Sequence, residues 1–310
     1  MDHCKTVVAL RRCVQYNRAE ISEIIDDIVS FLGITNGFHS KKVLLKPNLI
    51  SGKGSEFCCT HKTFIAGVAL WFYEQGAEVL IGDSPAFGHC TTVCRQLGII
   101  EEIKDLDVRL IDFSSAVRKN VSGNAGVNIA TPVFECDWFV NLPKIKAHNQ
   151  LYVTLAVKNI FGILKGTNKA LLHMLHGSAH DDFAGIILDL LHFLPPSIHF
   201  IDGITAMHRS GPLDGEPLSL NCIGGSMNPV ALDSALLELL ELEKEKSPLW
   251  RVAAERGLEG TQWDKLIFPF LSPADFYGAG FEAPARLNGI RFNPFRFLAG
   301  MGKRFFTFFH

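Results

Sequence analysis

Residues 141–166 read NLPKIKAHNQLYVTLAVKNIFGILKG and follow the apolar run WFV at 138–140. The segment holds four lysines and one histidine, and no carboxylate lies within it. A half-apolar segment that carries charge of one sign needs anions from elsewhere, either carboxylates of the fold or a ligand. The segment therefore indicates where a functional site lies, although it does not name the reaction.

Outward from this segment, short apolar runs alternate with patterns of helical period. Apolar residues recur at helical spacing over residues 19–32, which predicts a first helix. Thr60 is expected to cap a second helix that ends near residue 75. The alternation predicts an α/β fold with a mostly parallel or mixed sheet and helices on both faces. Asparagine and glycine are frequent near residues 118–132 and predict a hairpin-like excursion from that sheet.

The length of 310 residues is compatible with one large domain or two smaller ones. We expect a single α/β domain over residues 1–265, which could consist of two lobes that meet near residues 141–166. Residues 266–310 form a C-terminal extension rich in phenylalanine and basic residues. Within it, residues 290–310 either complete the core or contact a membrane surface or a protein partner. The oligomeric state is not indicated.

The composition is that of a soluble globular protein, with 47% hydrophobic residues and a net charge of −2. This balance gives no global attraction to nucleic acid, so no nucleic-acid partner is expected. The eight cysteines include no CxxC pair, so an iron–sulfur cluster is not expected. Scattered thiols favour a cytoplasmic location. The most apolar stretch, residues 186–204, is interrupted by charged residues and prolines, so no transmembrane segment is expected.

Several predicted strands end in polar residues, and in open α/β sheets ligands bind beyond these ends. We expect a small anionic ligand, a carboxylate or a phosphate, to bind there. The alternative is that these residues serve only ordinary turns. The candidate substrate-binding residues are Lys46, Asn48, Asp83, Ser84, Lys144, Lys146 and Asn159.

Three residues are candidates for catalysis. His148 is suited to proton transfer because histidine titrates near neutrality. Lys158 follows an apolar run and could act as a nucleophile or an anion clamp, or its stem could simply cross apolar surface. Asp202 could orient a base or hold a cation. His173 and His176 stand at a spacing that places two side chains on one helix face, which leaves a divalent metal site open beside an ordinary polar loop.

Seven motifs together resemble the domain of unknown function 362 family, in the family's order, over most of residues 5–240. They are VLLKPNL at 43–49, TH at 60–61, GAEVLIGDSP at 76–85, NLPKIKAH at 141–148, KNIFG at 158–162, DGI at 202–204 and GPLDGEP at 211–217. Many relatives append a ferredoxin module with two four-iron clusters. This chain lacks that cysteine motif, so it resembles the form of the family without the module.

A weaker resemblance concerns the nickel-pincer lactate racemases. That family places a catalytic histidine ten residues before the lysine that holds the pincer cofactor, with a nickel-binding histidine farther on. His148, Lys158 and His176 have a similar order here. Three functions therefore remain open: an enzyme for a small anionic substrate, a metal- or nickel-pincer-type enzyme, and a non-catalytic partner-binding or scaffold protein. The cofactor is not identified, and the sequence favours an enzyme without naming its reaction.

Overall fold

The computed structural model describes residues 5–35, 37–52, 56–121, 125–165 and 180–287. In this part of the chain a nine-stranded mixed sheet forms the centre of the fold, and helices cover both of its faces. The α/β fold class predicted from the sequence is confirmed. The strands are β1 (Thr6–Val7), β2 (Ala9–Arg12), β3 (Lys42–Pro47), β4 (Glu78–Asp83), β5 (Val108–Asp112), β6 (Ala116–Val121), β7 (Ala125–Ala130), β8 (Trp138–Leu142), β9 (Lys144–His148), β10 (Tyr152–Thr154), β11 (Ser197–His208), β12 (Glu216–Ser226) and β13 (Leu266–Ile267).

The sheet has a parallel half and an antiparallel half. Strands β5, β4, β3, β8 and β11 are parallel neighbours in that order, and β12 and β2 follow β11 in antiparallel pairing. Pro143 separates β8 from β9, and β9 continues along β11 with β10 at its other side. The carboxyl ends of β3, β4 and β8 therefore meet at one edge, from which β9 continues.

The apolar runs are nearly continuous because the parallel strands are buried on both faces. Val43 and Leu45 lie in the core beneath the first two helices, whereas Leu44 lies in the opposite core with Phe139 and Phe183. The alternation of side chains along a strand accounts for this division.

The helices are α1 (Arg18–Phe31), α2 (Lys62–Glu74), α3 (Cys90–Gln96), α4 (Ile99–Glu102), α5 (Pro132–Glu135), α6 (Ala156–Ile160), α7 (His180–Asp189), α8 (Pro229–Leu239) and α9 (Pro248–Glu255).

The predicted excursion near residues 118–132 is confirmed as an antiparallel hairpin of β6 and β7, separate from the central sheet. Its pairing runs from Ala116 with Ala130 to Val121 with Ala125. Val127 and Ile129 are buried against the central core, so the hairpin covers one face of the sheet.

The expected cap of the second helix is wrong by one residue. His61 is the N-cap of α2, and its Nδ1 accepts the backbone N–H of Thr63 at 3.2 Å. The Thr60 hydroxyl instead donates to the Leu142 carbonyl at 2.6 Å and accepts the Asn48 N–H at 2.8 Å. It ties the loop after β3 to the end of β8, and this contact leaves it unavailable as a cap.

Residues 266–287 pack onto the domain. Strand β13 pairs with β1, and Phe276 and Phe281 are buried in the core beside Ile201 and Leu236. The boundary at residue 265 and the two-lobe division stay predictions, and residues 290–310 lie outside the described part of the chain. Among the helices that the structure describes, none combines the length and the apolar character needed to cross a membrane.

Candidate functional site

The carboxyl edge of the parallel strands carries a buried polar cluster. Lys46, Lys144 and Lys146 are each at most 1% exposed, and Asp83 and Asp202 are at most 3% exposed. Charged side chains are rarely buried unless they are paired. The cluster joins residues that the sequence analysis assigned to one site, although they lie on four different strands.

Lys46 and Asp83 form the first ion pair, with 2.8 Å between Lys46 Nζ and Asp83 Oδ1. The other carboxylate oxygen accepts the backbone N–H of Leu49 at 2.9 Å. Gly162 lies against this pair, because a Cβ atom there would stand 2.2 Å from Lys46 Nζ and 2.6 Å from Asp83 Oδ1. The glycine of the KNIFG motif therefore provides the space that the pair occupies.

Lys144 and Asp202 form the second ion pair, with 2.8 Å between Lys144 Nζ and Asp202 Oδ2. Tyr16 joins it: its hydroxyl donates to Asp202 Oδ1 at 2.8 Å and accepts from Lys144 Nζ at 2.8 Å. The backbone N–H of His61 donates to Asp202 Oδ2 at 2.9 Å, and the His61 ring stacks on Tyr16 with 3.6 Å between centroids. Burial raises the pKa of Tyr16 and lowers that of His61, so both groups are held neutral.

Lys146 has partners of a different kind. Its ammonium donates to the side-chain oxygen of Asn48 and to the backbone carbonyl of Cys58, both of which are neutral. Burial lowers the pKa of Lys146 to about 8. Lys146 therefore carries a positive charge at neutral pH without a carboxylate bonded to it among the described residues.

A chain of amides connects Lys146 to the first ion pair. The Asn48 amide donates to Asn159 Oδ1 at 2.7 Å, and Asn159 donates to Asn141 Oδ1 at 2.8 Å. Lys46 Nζ also approaches Asn159 Oδ1 at 3.4 Å. These bonds orient each amide, so the Asn48 oxygen faces Lys146.

The remaining predicted residues take other positions. His148 ends β9 and is 7% exposed, and its Nδ1 accepts the N–H groups of Gln150 and Leu151 at 3.2 and 3.1 Å. Ser84 is half-buried directly after β4. Lys158 is half-buried, and its ammonium lies 4.8 Å from the ring centroid of Phe161. It stays a prediction that His148, Ser84 and Lys158 share one site with the lysine cluster.

The predicted metal site cannot be placed, because His173 and His176 lie outside the described residues. Within the described ranges, no three histidine, cysteine or acidic side chains converge as metal ligands would. Because Nδ1 of His148 accepts two N–H groups, its proton resides on Nε2, and the ring offers a donor rather than a lone pair. This arrangement of His148 does not fit a metal ligand, and a metal site that uses His173 or His176 stays a prediction.

Four residues of the site were missed by sequence reasoning. Tyr16 lies in a loop before α1, and Asn141 begins the lysine-rich segment. Asp233 in α8 accepts the N–H groups of Ala156 and Val157 at 2.7 and 3.2 Å, so it holds the start of α6. Burial raises the pKa of Asp233 to about 8. The fourth, His61, could have been found, since the TH pair at 60–61 belongs to the motifs quoted above.

A separate groove of about 560 Å³ lies near the start of β11 and the end of β12. Its lining includes leucines 188, 191 and 258, and it contains no member of the lysine cluster. The groove and the cluster are therefore different places. Binding sites need convergent polar groups as well as space, so we take the cluster as the candidate site.

This chain is similar to a known protein over nearly its full length. A thylakoid-associated protein of Synechocystis sp. is 30% identical over 304 residues, which cover 96% of this chain and 94% of that protein. In fold, the chain is similar to a lactate racemase apoprotein from Thermoanaerobacterium thermosaccharolyticum, with a TM-score of 0.50 and 10% identity. That similarity covers 74% of this chain and 56% of the racemase, so this chain spans little more than half of its length. At this identity the similarity shows the fold alone.

The family profile agrees with the full-length relative and with the motifs at the strand ends. It matches residues 43–238, a range that contains β4, β8, β9, all but the first residue of β3, and most of the buried cluster. The chain belongs to the family described as domain of unknown function (DUF362).

Proposed function

We propose that this chain is an enzyme that binds a small carboxylate or phosphate at the Lys146 ammonium. The observation that carries the proposal is the difference in partners within the cluster: Lys46 and Lys144 face carboxylates, whereas Lys146 bonds to neutral oxygens. An anion can therefore approach Lys146 without displacing a carboxylate of the fold. Charge-assisted bonds of this kind are among the strongest that a protein offers to an anion.

Each neighbouring group has a role in this proposal. The two ion pairs keep the cluster rigid, and Lys46 and Lys144 add positive potential around the ligand. Asn48 and Asn159 orient the ligand through their amides. His148 transfers a proton through Nε2, because its Nδ1 is held by two backbone N–H groups. Asp202 holds Lys144 and Tyr16 in position.

The burial of Lys146 has a kinetic consequence. Because its side chain is only 1% exposed, a ligand reaches it only after neighbouring groups move. We therefore expect association to be slower than a diffusion-limited encounter, because binding that requires a conformational change has a lower association rate. Stopped-flow measurements of the association rate would check this expectation.

The comparisons support the choice of ligands for the test. The fold neighbour is named a lactate racemase, and lactate is a small carboxylate. The similarity is one of fold, so lactate serves here as a probe of the carboxylate class. The seven described cysteines are free and buried, which supports a reducing, cytoplasmic location as part of this proposal. Peripheral membrane or protein contact through residues 290–310 stays a prediction.

The proposal is tested by titration calorimetry with inorganic phosphate and with lactate at neutral pH. Lys146→Met should weaken binding by about 10-fold or more, because an ionic hydrogen bond contributes about 1.5–3 kcal/mol. Lys104→Met is the matched control, since Lys104 is an exposed lysine whose side chain is 71% accessible. Its affinity should equal that of the unmodified protein.

Two results would overturn the proposal. One is that Lys146→Met, shown to be folded by circular dichroism, binds both anions as tightly as the unmodified protein. The other is that the unmodified protein binds neither anion.

A further inference from the structure

The described residues include two pairs of neighbouring buried thiols for which the proposed function has no use. In the loop after β3, Cys58 and Cys59 have sulfur atoms 3.7 Å apart. On α3, Cys90 and Cys94 have sulfur atoms 3.9 Å apart. All four side chains are at most 1% exposed. The two pairs have similar sulfur separation and burial, so differences in their chemistry must come from their surroundings.

The first pair lies beside a positive charge. Lys146 donates to the carbonyl of Cys58, and the N–H of Ile50 donates to Cys59 Sγ at 3.3 Å. A sulfur atom that accepts an N–H beside an ammonium group is stabilised as a thiolate. The hydrogen bond from Cys58 and the charge of Lys146 lower the pKa of Cys59 to about 6, although burial opposes this shift. The hydrogen bond to Cys59 raises the pKa of Cys58, so Cys58 is a thiol at neutral pH.

The second pair lies beside a negative charge. The hydrogen bond to Cys94, burial and the nearby carboxylate of Asp83 all raise the pKa of Cys90. Cys90 is therefore a thiol at neutral pH, and thiols are poor nucleophiles compared with thiolates. The chain thus contains an internal control with similar sulfur separation and opposite electrostatics.

We infer that Cys58 and Cys59 form a peroxide-sensitive dithiol, in which Cys59 is the attacking thiolate and Cys58 is the resolving thiol. The Cys59 thiolate attacks one oxygen of hydrogen peroxide, the O–O bond breaks, and hydroxide leaves. Cys59 is then a sulfenic acid. The Cys58 sulfur attacks Cys59 Sγ, the S–S bond forms, the S–O bond breaks, and water leaves with the proton of Cys58. Two electrons pass from the two sulfurs to the peroxide.

The product is a disulfide between adjacent residues, and its geometry makes it readily reduced by an external thiol. Adjacent Cα atoms are about 3.8 Å apart, which is less than the usual separation of about 4.4–6.8 Å across a disulfide. Strained disulfides are readily reduced, and such bonds are typical of regulatory sites. Formation of this bond shifts the Cys58 peptide, whose carbonyl is a partner of Lys146. The thiol chemistry does not require that Lys146 bind an anion.

The experiment treats the reduced full-length protein with hydrogen peroxide at neutral pH and follows it by intact mass and peptide mapping. The unmodified protein should lose two hydrogen atoms at Cys58 and Cys59. Cys58→Ser should instead gain one oxygen atom at Cys59, and the sulfenic acid should react with dimedone. Cys59→Ser should remain unoxidised at residue 58. Cys90→Ser and Cys94→Ser should behave as the unmodified protein does.

Lys146→Met supplies a graded test. Loss of the ammonium should slow oxidation of Cys59 by about 10-fold at neutral pH, because the thiolate fraction falls when the pKa returns towards about 8.5. Urea-unfolded protein should also react more slowly at Cys59 than native protein. The inference is overturned if Cys90 or Cys94 is oxidised first, if Lys146→Met reacts at the unmodified rate, or if Cys59 reacts only after unfolding.

Discussion

Lys144 and Lys146 stand two residues apart on β9, and both are 1% exposed, yet they are held in different ways. Lys144 forms an ion pair with Asp202 and bonds to Tyr16, so its charge is balanced within the fold. Lys146 bonds to an amide and a peptide oxygen, and its pKa is lowered by burial. The comparison teaches that burial alone does not assign a lysine to structure or to function. The two lysines differ in the charge of the groups that accept their hydrogen bonds.

Replacing each lysine by methionine should give the largest difference between Lys144 and Lys146, measured as the free energy of unfolding. Lys144→Met leaves Asp202 buried without its cation, so the free energy of unfolding should fall by about 3–5 kcal/mol. Lys146→Met leaves two neutral oxygens without a donor, so the loss should be about 1–2 kcal/mol. Urea denaturation of both variants measures the difference. Equal losses would show that the distinction between the two lysines is wrong.

The pH dependence of stability provides a second contrast. The folded pKa of Lys146 is about 8, whereas a lysine in an unfolded chain has a pKa of about 10.4. Between these values the unfolded chain binds more protons, so the free energy of unfolding should rise with pH. The rise attributable to Lys146 is about 3 kcal/mol at most, and it is complete only above about pH 11.

Subtracting the free energies of unfolding of Lys146→Met from those of the unmodified protein, both in a Cys59→Ser background, isolates this contribution, because the thiol whose pKa depends on Lys146 is then absent. Urea titrations from about pH 7 to about pH 10 would give the difference curve. A difference that is flat or that falls with pH would contradict the lowered pKa of Lys146.

The third contrast concerns the space around the first ion pair. Gly162→Ala would bring a Cβ atom to 2.2 Å from Lys46 Nζ and should reduce the free energy of unfolding, by about 1–3 kcal/mol for an overpacked core. Gly37→Ala is the control, because no atom lies within 4 Å of an added Cβ there. Thermal or urea unfolding of the two variants checks the prediction. A tolerated Gly162→Ala would mean that the Lys46–Asp83 pair has room to move, as a ligand site would.

The sequence predicted the strand ends well, because apolar runs and their polar termini are local features. Apolar runs end at Lys46 and at Asp83, and Lys144 lies just beyond a third run. The fold brings these strands to one edge. The pairing of particular charges was not predictable. Lys46 contacts a carboxylate 37 positions away and Lys144 one 58 positions away, and spacing alone gave no reason to prefer either partner.

Long-range partners also account for the errors and omissions. Tyr16 was missed because its bond to Lys144 spans 128 positions and no local pattern marks it. Thr60 was wrongly expected to cap α2, because its hydroxyl is used by the carbonyl of Leu142. Cap prediction considers only the nearest residues, so a tertiary contact of this kind overrides it. His173 and His176 lie outside the described residues, and their role stays a prediction.

The hydrogen bond between Tyr16 and Asp202 spans 186 positions, and this separation affects how the protein folds during its synthesis on the ribosome. The chain emerges from its N-terminus, so Tyr16 and Lys144 are synthesised well before Asp202. Until that aspartate leaves the exit tunnel, Lys144 has no counter-charge and cannot be buried at acceptable free energy. The ion pair of Lys144 therefore forms late in synthesis, and a chain truncated before residue 202 should lack it.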